Sequence, residues 1–225
     1  MAVQESTQSH VQEAAMKCLL EYASRTSPSS PSSDIPQSGS SLEWWTLTLS
    51  FVTGHLSDPT DGVRALALDT LSHIPYEAFD TLPDRHRMSI LSVVLGLLQD
   101  PEPNVRAAAC GVLGVFVSFD CLKEVVFLVV QSDIKESLFI SDLSSQLPSL
   151  VLDDDSLIVR MRASWALANL CQFLMERRQE GREGFENDTI HILVQAGLHA
   201  VLDNDKVNHT RRDSSPSADL MVSEL

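Results

Sequence analysis

Seven-residue segments of one pattern recur three times along this chain of 225 residues. Asp58-Pro59-Thr60-Asp61-Gly62-Val63-Arg64 is followed by Ala67 and Leu71. Asp100-Pro101-Glu102-Pro103-Asn104-Val105-Arg106 is followed by Ala109 and Leu113, and Asp154-Asp155-Ser156-Leu157-Ile158-Val159-Arg160 by Ala163 and Leu167. In every copy Arg stands six residues after Asp, Ala three after Arg and Leu seven after Arg. The arginines are 42 and 54 residues apart. A weaker copy, Val11-Gln12 with Ala15 and Leu19, has Gln in place of Arg and stands 52 residues before Arg64. A unit of about 40 residues with insertions explains the unequal intervals, because a repeat absorbs extra residues in its loops. One insertion is the Ser- and Pro-rich stretch 24–41; the second lies between Asp120 and Leu143.

Each position in the pattern has a physical task. The Asp is expected to cap a helix whose first N–H groups lack partners. Pro59 and Pro101 are expected in the first turn, where a missing N–H does no harm. Val105, Ala108, Ala109, Val112, Leu113 and Phe116 then make an apolar stripe at helical spacing, with Ala small enough for a neighbouring helix to approach. Other stripes run through Trp45, Leu49, Val52 and Leu56; through Met88, Leu91, Leu95 and Leu98, started by Pro83-Asp84; and through Ile190, Leu193, Val194, Gly197 and Val201, started by Asn187-Asp188. A first helix would bury Val11, Ala15, Cys18 and Tyr22. With only 9 glycines and 6% aromatic residues, and with Val125–Val130 as the one strand-like run, the fold class is all-α. A helical hairpin with apolar surface on several sides must stack on its neighbours to hide it.

These residues resemble the HEAT-repeat family at the turn and second helix of its hairpins. The resemblance spans about Val11 to Leu202 and is strongest over Asp58–Leu174. It implies a right-handed, armadillo-like α-solenoid of paired helices. It also implies a structural ladder between repeats, built from Asp58, Asp100 and Asp154 with Arg64, Arg106 and Arg160; Gln12 departs from it. The expected organisation is a partial first repeat at 1–23, a flexible loop at 24–41, the solenoid at 42–202 and a degenerate, disordered tail at 203–225. Asp205 and Arg211 restart the pattern without the Ala and Leu. With an unpaired first helix as well, the chain reads as a fragment or shortened form of a longer solenoid, able to self-associate through uncapped ends.

Charge and motif content narrow the function. A net charge of −15 argues against nucleic acid and anionic membrane as partners, since both require clustered Lys and Arg. The first twenty residues lack a basic region followed by an apolar one, so a cytoplasmic or nuclear location is expected. Cys18, Cys110, Cys121 and Cys171 form no CxxC pair and are expected to be reduced and buried. The sequons at Asn187 and Asn208 then carry no meaning. Ser27-Pro28 and Ser30-Pro31 are either proline-directed phosphorylation sites or parts of a solvated loop. No HExxH, GxSxG or P-loop occurs. Asp153-Asp154-Asp155 lacks the alternating ligands and turn glycine of a calcium loop. No catalytic residue, metal or cofactor is expected.

What remains is recognition of a protein or peptide. Trp165-Ala166-Leu167-Ala168-Asn169 resembles the W-x-x-x-N element with which armadillo repeats of nuclear-import adaptors grip extended basic peptides. The matching positions in the earlier repeats are Asp69 with His73 and Gly111 with Val115, so the element is not repeated, and a single Trp packed between repeats is the preferred reading. If Val159, Ala163, Ala166, Leu167 and Leu170 face the core, then Trp165, Asn169 and Gln172 point away from it. Asp69, His73, Val115 and Ser118 fall in the same phase. This partner-binding strip resembles the concave surface of the family, with small residues in its middle to leave room for a ligand. Two functions stay open: a noncatalytic interaction scaffold, and a carrier for basic peptide segments.

Overall fold

The computed structural model describes residues 2–26, 40–119, 138–179 and Gln195. The Val125–Val130 run, Cys121, the Ile190–Val201 stripe, the two sequons, the Asp205/Arg211 restart, the Ser-Pro pairs and the 203–225 tail lie outside the described residues. The helices are α1 (Ala2–Thr26), α2 (Ser40–Gly54), α3 (Asp61–Leu71), α4 (Tyr76–Asp80), α5 (Asp84–Gly96), α6 (Pro103–Phe116), α7 (Leu138–Asp153) and α8 (Leu157–Gln179). No strand occurs among the described residues. Packing orders them in two layers. Helix α3 lies between α1 and α6, and α6 between α3 and α8, while α2, α5 and α7 pair with α3, α6 and α8. The chain is an α-solenoid of helical hairpins.

The repeat is geometric as well as sequential. Helices α2 and α5 end at Gly54 and Gly96, followed by short 3-10 turns at His55–Ser57 and Leu97–Gln99. Asp58 (φ −62°, ψ 142°) and Asp100 (φ −61°, ψ 140°) then turn the chain outward. Thr60 (φ −87°, ψ 119°) and Glu102 (φ −90°, ψ 123°) lead into the next helix. Within a few degrees, 42 residues later, the backbone does the same thing.

Two expectations about this turn need correction. The Asp does not cap the helix: Oδ1 of Asp58, Asp100 and Asp154 accepts the N–H of Thr60, Glu102 and Ser156, two residues on. That closes an Asx turn ahead of the helix. Pro59 and Pro101 likewise precede the helices, and Pro103 takes the first helical position of α6 instead.

The core is a continuous stack. Trp45, Leu49, Val52 and Leu56 are buried, as are Leu91 and Leu98, with Met88 and Leu95 packed against them. In α6 the stripe Val105, Ala108, Ala109, Val112, Leu113, Phe116 is buried throughout. Phe79 and Phe116 stack with centroids 4.6 Å apart, and Phe119 closes on both. Helix α1 corrects the expected face. Val11 is 64% exposed and Tyr22 and Cys18 are exposed, whereas Met16 and Ala23 are fully buried. The stripe through Val11, Ala15, Cys18 and Tyr22 is therefore out of phase, while Leu19 does pack against the core and Ala15 is half-buried.

Candidate functional site

The turn residues fix how each repeat sits on the next. Arg64 donates through Nε and Nη2 to the two carboxylate oxygens of Asp100, both at 3.0 Å. Its Nη1 donates to the carbonyls of Asp58 (2.8 Å) and Pro59 (3.2 Å). Arg106 repeats this with Asp154 (2.8 and 3.0 Å) and with the carbonyls of Asp100 (2.8 Å) and Pro101 (3.0 Å). Each guanidinium thus staples its own turn and reaches forward to the next repeat in the two-pronged geometry that favours Arg over Lys. Arg160 holds the carbonyls of Asp154 and Asp155. No arginine among the described residues bonds the Asp58 carboxylate. Burial pushes the Asp154 carboxyl up; the Arg106 hydrogen bonds, the Ser156 N–H and the charges of Arg106 and Arg160 outweigh it and hold the group below its ordinary range.

Of the expected strip, Asp69, Val115, Trp165, Asn169 and Gln172 lie on α3, α6 and α8, with His73 and Ser118 just past the ends of α3 and α6. Gln172 and Ser118 are exposed, Asp69, His73, Val115 and Asn169 are half-buried, and Trp165 is 45% exposed. The expected room above the small residues of α6 is absent. A Cβ on Gly114 would lie 2.3 Å from Trp165 Cζ3, so the indole rests on that glycine. Asn169 Nδ2 donates to the Gly114 carbonyl at 2.9 Å. A Cβ on Gly111 would lie 3.2 Å from Arg162 Nη1, so the guanidinium covers that position too. Small residues on one helix are filled by large ones from the next, as close packing requires.

Arg162 is the member of the strip that sequence reasoning missed. The signal was present: it stands three residues before Trp165, one helical turn away on the same side of α8. Its charge is felt on α3. Burial raises the Asp69 carboxyl above its ordinary value, against the lowering effects of Arg162 and then His73. Burial lowers the His73 imidazole, against the raising effect of Asp69. Gln172 Nε2 donates to Glu176 Oε1 at 2.9 Å on the exposed side of α8.

Elsewhere, a cleft of about 720 Å³ lies between α2, α4 and α5, with Leu42, Leu49 and Ile90 in its walls. Thr46, Thr53 and Thr81 also line it, and each turns its hydroxyl back to a carbonyl of the preceding helical turn. Of the cysteines expected to be buried, Cys110 is buried and its thiol is pushed up to about 12 by that burial, Cys171 is half-buried, and Cys18 is exposed. No group of three His, Cys, Asp or Glu side chains fit to hold a metal ion occurs among the described residues, and no helix among them is long and apolar enough to cross a membrane.

The HEAT repeat family model matches residues 90–119, from the middle of α5 through α6. An uncharacterized protein of Dictyostelium discoideum is 29% identical over 168 residues, covering 73% of this chain and 10% of its own length. This chain thus spans about a tenth of that relative. Among solved structures, an engineered protein is 18% identical with a TM-score of 0.49, covering 87% of this chain and 74% of its own. A designed armadillo repeat protein in complex with a (KR)4 peptide is 20% identical with a TM-score of 0.36, covering 83% and 91%. Those overlaps are loose; what the chain itself shows is one matched repeat whose turn, Arg–Asp link and helix pair recur beside it. The chain is an α-solenoid of helical hairpins that carries a HEAT repeat at residues 90–119.

Proposed function

We propose that the chain is a noncatalytic interaction scaffold that receives a protein segment on the outer side of the α3–α6–α8 layer. The observation that carries this reading is Trp165, whose indole lies on the Gly114 backbone while nearly half its surface stays open. A large aromatic ring held in place by one face and free on the other loses little entropy on binding, which is why such rings dominate interface energetics. Asn169 and Gln172 beside it supply polar atoms at the rim. The carrier reading for basic peptides is weakened by Arg162, whose guanidinium occupies the strip between Trp165 and Asp69, where a cationic stem would have to lie.

The test is selection of displayed peptides on the full chain, followed by affinity measurement with variants. Trp165→Ala should weaken the selected peptides by about thirtyfold, the scale of a hot-spot residue. Since that change also uncovers Gly114, Ser118→Arg provides a second check: it crowds the same strip from an exposed position without touching the core. Peptides that bind both variants as tightly as the parent chain would place the binding surface elsewhere.

A further inference from the structure

Six residues of α8 follow one another at alternating three- and four-residue steps: Ile158, Met161, Trp165, Ala168, Gln172 and Met175. All six are exposed, and five are apolar. Ile158 is 49%, Met161 64% and Met175 52% exposed. On the opposite side of the same helix Val159, Ala163, Ala166, Leu170 and Phe173 are buried against the solenoid. Helix α8 is therefore apolar on two faces, and among the described residues only one of them is covered.

The step pattern identifies what fits the second face. An average spacing of 3.5 residues keeps the stripe near one face, drifting only about 20° per heptad, and is the spacing of a seam that meshes with another helix. The 18 positions from 158 to 175 rise by about 27 Å, five turns of a partner. An extended peptide crossing α3, α6 and α8 would use the seam only at one point. It would also meet an Asn169 amide that already spends one of its two N–H groups on the Gly114 carbonyl. Charge selects further. Arg162 and Glu176 stand two heptads apart on the same flank of the seam. They are complementary to a helix with an acidic residue near one end and a basic residue near the other.

We propose that α8 docks an amphipathic helix of a protein partner, laid lengthwise on this seam, with an acidic side chain facing Arg162 and a basic one facing Glu176. The proposal rests on the scaffold reading above and specifies the form of the partner. Flexible methionines flanking a fixed indole suit such a groove, because thioethers adapt to differently shaped apolar side chains.

The experiment uses the full chain and a fluorescent peptide of three heptads with Leu at both seam positions, Glu on the flank of the first heptad and Lys on the flank of the last. A control peptide has the same composition with Pro at its centre. We expect the heptad peptide to bind and the Pro peptide to bind at least tenfold more weakly. Met161→Asp, which puts a charge on a mostly exposed seam position, should weaken binding at least tenfold. Arg162→Glu should weaken it and be rescued by exchanging the peptide's Glu for Lys. Equal binding of the Pro peptide, indifference to Met161→Asp, or no binding of the heptad peptide would overturn the proposal. So would a dimer of the chain, seen by sedimentation and dispersed by Met161→Asp, since the seam would then belong to a second copy. Binding of the Pro peptide that still falls with Trp165→Ala would sink the helix and spare the scaffold strip; selected peptides indifferent to Trp165→Ala and Ser118→Arg would sink that strip.

Discussion

Arg106 serves two repeats with one guanidinium, closing its own turn through two carbonyls and gripping Asp154 in the next repeat. Its side chain is 17% exposed and that of Asp154 only 5%. Removing the cation leaves a carboxylate with little access to water. Arg106→Ala should therefore destabilise the chain by about 3 kcal/mol, measured by chemical denaturation; a change below about 0.5 kcal/mol would mean the link contributes nothing. The pair also sets a pH dependence. Because the Asp154 carboxyl is held below its unfolded value near 3.8, its contribution is complete above that pH and is lost as pH falls through the folded value. Asp154→Asn should lower the melting temperature at neutral pH and flatten its acid decline; a variant that declines as steeply as the parent would contradict this. At this scale the sequence is informative where spacing is invariant: Asp, Arg, Ala and Leu recur in phase. It is silent on direction. Nothing in D-x5-R says that Arg64 pairs with Asp100 rather than Asp58, because the choice depends on how far one repeat is rotated on the next.

Helices α6 and α8 show how element packing was half legible. The buried stripe of each could be read from helical periodicity, since a core face must be apolar whatever covers it. Which side chain fills the gap above a glycine could not, because that depends on the partner helix. Gly111 and Gly114 look like open space in sequence and are covered by Arg162 and Trp165 in the fold. Gly114→Ala would place a methyl 2.3 Å from the indole and 3.2 Å from the Ala166 Cα. The ring must swing away and the helices must separate slightly, at a cost of about 1–3 kcal/mol for overpacking. Tryptophan fluorescence should shift to the red as Trp165 becomes more exposed. An unchanged spectrum and melting curve would show that the indole does not rest on α6. Helix α1 is the opposite lesson. Without the Asp-to-Arg turn to set the phase, its stripe was placed on Val11 and Tyr22 when Met16 and Ala23 carry the burial.

On the scale of the whole molecule, each repeat contacts its neighbours along the layers, so stability is built from local links and the surface from what those links leave open. Two properties of that surface pull in different directions. The net charge of −15 would draw in basic segments from a distance, whereas the exposed side of α8 offers an indole, two methionines, an isoleucine and a guanidinium. If contact is made as the local chemistry indicates, the binding free energy comes from apolar burial and is little screened by ions. The most direct measurement is the affinity of peptides selected on the full chain as ionic strength rises from about 0.05 to about 0.5 M, where the screening length falls from about 14 Å to about 4 Å. An apolar docking face predicts affinity that stays within about threefold across that range and falls about thirtyfold with Trp165→Ala at every salt concentration. Affinity that collapses by orders of magnitude as salt rises, with Trp165→Ala making no difference, would contradict it.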